Sequence, residues 1–144
     1  EILFQVGSAE LNQHFKNILD NFFPRFIQIL TDPKYKNEIE EIRIEGHTSS
    51  EWSGENSPYQ AYFNNMELSK DRTHNELIYI LSKIKDEKLF NWTKSKLTAN
   101  GLSSSKLIYN LDQTENKERS RRVEFKIKTN AEKQINKILK QSSK

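Results

Sequence analysis

Ile42-Arg-Ile-Glu-Gly-His-Thr-Ser49, followed after a loop by Asn65-Met-Glu-Leu-Ser-Lys-Asp-Arg72, decides how this chain is read. In the first stretch Ile42 and Ile44 alternate with Arg43 and Glu45, the pattern of a half-buried strand. Gly46 lets the backbone turn, which places His47, Thr48 and Ser49 on a strand-end loop. The second stretch reads as a helix start: Ser69 suits an N-cap, and Leu77, Ile80, Leu81 and Ile84 then share one face. Arg72 accordingly falls in a first turn, where the helix dipole disfavours a cation. It either pairs with Asp71 or Glu76, or it joins free helix-start amides in holding a carboxylate.

Outward from this centre, Ile2, Phe4 and Val6 alternate as a short opening strand ended by Gly7-Ser8, with Ser8 placed to cap a helix. That helix carries Leu11, Phe15, Ile18, Leu19, Phe22 and Phe26, and Pro24 inside it predicts a kink or a restart. Asp32-Pro33 marks a turn. Residues 50–64 read as a long loop in which Trp52, Tyr59, Tyr62 and Phe63 either stack on a ligand or cover the loop's own backbone. Leu89, Thr93 and Leu97 predict a short helix running into an extended Leu97-Thr-Ala-Asn100. Val123, Phe125 and Ile127 mark a final strand, and residues 129–144 a C-terminal amphipathic helix with a frayed tail. The order predicts an α+β domain spanning 1–144, with helices packed on a mixed sheet of about four strands.

Composition bounds the function. The chain has 144 residues, 34% hydrophobic, 30% charged and 10% aromatic, enough for one domain with a core. A net charge of +3 falls short of the dense basic stripe that nucleic acid requires. Without cysteine there is neither a disulfide nor a Cys-based metal site. No apolar run approaches the roughly 20 residues that span a bilayer, and the chain begins inside a strand pattern without an initiator Met. It therefore reads as a fragment, or a processed form, of something longer, and any membrane anchor would lie upstream.

Catalysis finds little support. His47 and Ser49 have no acid placed to orient them, so no nucleophile–base–orienter set emerges. The sequence spaces no second ligand suited to metal binding from His14 or His74, and it holds no phosphate or dinucleotide fingerprint. The expectation is no catalytic residue, no metal and no cofactor.

Glu45-Gly-His-Thr48, Asn65-x-x-Leu-Ser-x-x-Arg72, Gly101-Leu-Ser-Ser-Ser105 and Glu118-Arg-Ser-Arg-Arg-Val-Glu-Phe125 resemble, in order, the motifs of the OmpA-like peptidoglycan-binding domain, and Ile2–Leu11 resembles its opening strand and turn. The resemblance covers nearly the whole chain. It implies non-catalytic binding of peptidoglycan through the diaminopimelate of the stem peptide. Arg72 would hold the carboxylate, Asn65, Leu68, His47, Thr48 and Ser49 would line the site, and Arg122, rather than Arg121, would reinforce its positive wall. The family usually carries Asp where this chain has Ser49, so Glu51 or Glu55 would have to supply the missing anion. The altered segment and long loop resemble MotB-like and ZorB-like stators, which implies a periplasmic wall anchor pairing as a homodimer. The competing reading is a degenerate copy serving as a protein–protein or dimerisation platform.

Overall fold

The structure is a computed structural model and describes residues 3–142. Helix α1 (Gln13–Leu30) precedes a 3-10 turn (Lys36–Glu38) and strand β1 (Ile39–His47). Helices α2 (Pro58–Ser82) and α3 (Glu87–Lys96) lead to β2 (Leu97–Gly101). The short α4 (Lys117–Ser120), β3 (Arg122–Thr129) and α5 (Ala131–Ser142) complete the chain. The sheet is mixed, in the order β2-β1-β3, with β1 parallel to β2 and antiparallel to β3. The α+β class and the mixed sheet are as predicted, with three strands rather than about four.

The missing strand is the opening one. Ile2 lies outside the described residues, and residues 3–7 form bends and turns, with Gly7 at a φ of +68°. Phe4 does not join a ladder but sets its ring edge-on to Phe15, centroids 5.3 Å apart. Alternation over so few residues describes a half-buried turn as well as a strand.

Helix α1 is capped by Asn12, whose side chain accepts from the Phe15 amide, and not by Ser8, which accepts from the amide of Glu10. It runs unbroken through Pro24. Phe15, Leu19, Phe23, Ile27 and Leu30 form its buried stripe and pack with Ile42, Ile44 and Ile80. Phe22, Phe23 and Phe26 gather round Phe125 of β3, with centroids 5.3, 6.3 and 5.8 Å from its ring. Burying such side chains contributes about 1.5–3 kcal/mol each, so this seam of α1 against the sheet is the main core.

Helix α2 starts twelve residues earlier than an N-cap at Ser69 predicts, with Ser57 in that place. Ser57 caps it, accepting from the Gln60 amide, and Pro58 occupies the first turn, where its missing N–H costs nothing. Its most buried residues are Ala61, Asn65, Ser69, Thr73, Glu76 and Ile80, a stripe of mostly small and polar side chains. Leu77, Leu81 and Ile84 are only partly buried beside it. The stripe lets α2 approach the sheet closely: a Cβ on Gly101 would stand 2.5 Å from the Lys70 nitrogen, and one on Gly46 would stand 2.9 Å from the Thr73 methyl. Apolar periodicity does not register such a face, because its residues are chosen for size.

Candidate functional site

The end of β1, the first half of α2, the 101–105 loop and α4 converge. The Thr48 amide donates to the Ser103 carbonyl, the Leu102 amide to that of Gly46, and the Ser103 amide to Ser69 Oγ. Ser103 Oγ donates to the Tyr62 carbonyl, and the residue sits fully buried at a φ of 52°. The predicted glycine-containing loop is therefore a clamp joining β1, β2 and α2.

Thr48, Ser49 and Asn65 are all buried. Asn65 donates both of its amide hydrogens, to the carbonyls of Ser49 at 3.2 Å and Glu51 at 3.1 Å. Thr48 Oγ1 also donates to the Ser49 carbonyl, at 2.9 Å. These side chains build the 48–57 loop and hold its backbone against α2. Leu68 is half-buried on α2, one turn before Arg72.

Arg72 is not in a first turn. It lies mid-helix, so no helix-start amides accompany it, and the dipole argument for its placement falls away. Among the described residues neither Asp71 nor Glu76 forms a salt bridge with it, and Glu76 acts on it only through its charge. Its Nε donates to the Ser8 carbonyl at 2.8 Å and its NH2 to that of Gln5 at 3.1 Å, while the guanidinium lies 4.6 Å from the centre of the Phe4 ring. Burial pulls its pKa down to about 10, which leaves it charged at neutral pH. One turn on, Glu76 is fully buried with both carboxyl oxygens lacking a hydrogen bond. Burial pushes its pKa up to about 8 against the pull of Arg72, so it is mostly protonated near pH 7.

The two neighbouring arginines exchange their expected places. Arg121 pairs with Glu51, and its charge reaches Arg72 and depresses the Arg72 pKa further. Arg122 turns away, donating through Nε to Glu124 at 2.6 Å and through NH1 to the Ser120 carbonyl, and its charge falls on His47. Arg121, and not the expected Arg122, acts on Arg72, because Arg121 is the C-cap of α4 and only Arg122 belongs to the strand.

Of the two candidate anions, Glu51 sends its carboxylate to Arg121 and to Lys117, 2.8 Å away, which holds its pKa below the usual carboxylate range. Glu55 instead accepts from the Ser57 amide and supports the turn into α2. Residues 58–64 are helical, so Tyr59 and Phe63 stand exposed one turn apart on α2 and are not loop side chains. His47 belongs to β1, and its Nε2 faces Glu45 and Glu124.

Comparison with known proteins bears on the fold. No family model matches the chain. Over 141 residues, 98% of the chain, it is 47% identical to the Zorya protein ZorB of Escherichia coli (strain ATCC 8739). Its fold is that of the MotB-like domains. A MotB-like protein from Desulfovibrio vulgaris superposes with a TM-score of 0.61 at 27% identity, covering 88% of this chain and 67% of that one. The periplasmic domain of Helicobacter pylori MotB gives 0.59 at 19% identity, covering 98% and 80%. The cell wall anchor of the T6SS from Pseudomonas aeruginosa gives 0.55 at 20%, covering 88% and 75%, and at such identities the likeness is one of fold. The chain spans 59% of the length of ZorB. Among its described residues no helix is long and apolar enough to cross a membrane.

Proposed function

We propose that this domain binds peptidoglycan without chemistry, through the diaminopimelate end of a stem peptide, and so anchors an envelope or stator protein to the cell wall. The observation that carries this reading is the charge arrangement beside the Asn65-held loop: Arg72 and Arg121 as cations, with the Glu51 carboxylate against Arg121. A zwitterionic end carries an ammonium and a carboxylate, and it needs both an anion and a cation set a few ångströms apart. Glu51 takes the part of the anion that Ser49 lacks, and Arg72 or Arg121 receives the carboxylate. The site would act in the periplasm, in a protein held to a membrane by a segment outside this chain and pairing as a homodimer.

A second reading has its own support. Arg72 is already engaged by the Ser8 and Gln5 carbonyls and the Phe4 ring, as suits a fold that has become a protein–protein platform. Co-sedimentation with purified sacculi separates the two. Wall binding predicts retention of the native chain, loss on Arg72→Ala or Arg121→Ala, and no change on Arg25→Ala, whose side chain only holds Asn21. Retention indifferent to both site changes would leave the platform.

A further inference from the structure

Away from that rim, the register of β1 against β3 sets Glu45 directly opposite Glu124 and His47 opposite Arg122. Like charges facing each other across an antiparallel ladder repel, so this pair requires a cation between them. Each carboxylate has one oxygen clamped by an arginine: Arg43 Nε lies 3.0 Å from Glu45 Oε2, and Arg122 Nε lies 2.6 Å from Glu124 Oε1. The remaining oxygens, Glu45 Oε1 and Glu124 Oε2, both lie beside His47 Nε2, and the three residues offer ligand atoms that all lie within 4.8 Å of one another.

His47 is the second, independent sign. Its side chain is 1% exposed, and neither ring nitrogen makes a hydrogen bond. Nε2 stands 3.4 Å from Glu45 Oε1 and 3.9 Å from Glu124 Oε2. Ligands about 2.1 Å from a tetrahedral zinc ion lie roughly 3.4 Å apart, so the His47–Glu45 edge already fits and Glu124 needs only a small shift.

We propose that Glu45, His47 and Glu124 form a three-ligand site for a divalent zinc ion, with the Lys126 ammonium as its competitor. Lys126 Nζ reaches into the same space, 3.3 Å from Glu45 Oε1 and 3.5 Å from Glu124 Oε2. Its side chain is 57% exposed, so it can withdraw to solvent when a doubly charged ion enters. The clamping arginines stay in place and orient the ligating carboxylates, the part that outer hydrogen bonds play in metal sites. One imidazole and two carboxylates suit zinc and leave a fourth position open to water.

Titration calorimetry of zinc chloride into the untagged chain tests this, with cobalt(II) absorption as a report on the ligand set. The expected result is one-to-one binding by the native chain, at least tenfold tighter in Lys126→Met and at least tenfold weaker in His47→Gln and Glu124→Gln. Glu124 is a third exposed, so its variant tests the site even if the buried His47 variant does not fold. No binding by the native chain would overturn the proposal. So would equal affinity in Glu124→Gln, which would place the metal elsewhere, or no gain in Lys126→Met.

Discussion

Arg72 Nε donates to the Ser8 carbonyl at 2.8 Å, tying the middle of α2 to a turn 64 residues earlier. With the NH2 bond to Gln5 and the Phe4 ring below, this guanidinium fastens the N-terminal segment to the body of the domain. The same side chain is the leading candidate for the ligand carboxylate. Binding through Arg72 thus requires either its uncommitted NH1 face or release of residues 5–8.

Removing that side chain should loosen the segment. Arg72→Ala leaves two carbonyls to find water and forfeits the ring contact, at about 1–3 kcal/mol. Urea unfolding should show the loss, and hydrogen exchange should show faster exchange in α1's first turn than in β1. Unchanged exchange there would mean that the segment is held by Leu3 and Phe4 packing alone.

Glu76 should make stability fall with rising pH. Its carboxyl titrates at about 8 in the folded chain against an ordinary 4.5, so between these values the unfolded chain releases a proton that the folded one keeps. Stability is therefore greatest below this window and declines through it by up to ~1.4 kcal/mol per pH unit. Urea midpoints between pH 5 and 8.5 should flatten in Glu76→Gln. The same slope in both proteins would assign the dependence to other groups.

Gly101→Ala should be severe for a single methyl. The new Cβ would meet backbone, the Lys70 nitrogen at 2.5 Å and its Cα at 2.8 Å, and the clamp through Ser69 and Ser103 leaves little room for α2 to retreat. Overpacking of this kind costs about 1–3 kcal/mol, and thermal melting reads it directly. An unshifted melting temperature would show that α2 is free to move off the sheet.

If Glu51 supplies the anion, Glu51→Gln should weaken sacculus retention about tenfold, as loss of one charge-assisted bond predicts. Its ion pairs are half-exposed, and such pairs contribute at most ~1 kcal/mol to stability, so folding should survive. Ser49→Asp in that background should recover part of the retention. Full retention by Glu51→Gln would remove Glu51 from the site.

Much of the chain was legible as sequence. Phe15, Leu19, Phe22 and Phe26 announce α1, Ile42 and Ile44 announce β1, and Val123, Phe125 and Ile127 announce β3, because apolar burial imposes its period on the residues that undergo it. The ordered motifs likewise pointed to the MotB-like fold that the superpositions show. Only the tertiary structure decided the rest. Ser69 looks like a cap yet lies inside α2, since its small side chain is required for closeness to Gly101 and not for a helix end. Which arginine faces Arg72 depends on where α4 gives way to β3, and the partners of Arg72 lie 64 and 67 residues away. Glu45, His47 and Glu124 meet only through strand register. Periodicity is local and written in the chain, whereas polar partnerships are made across it, between groups that folding brings together.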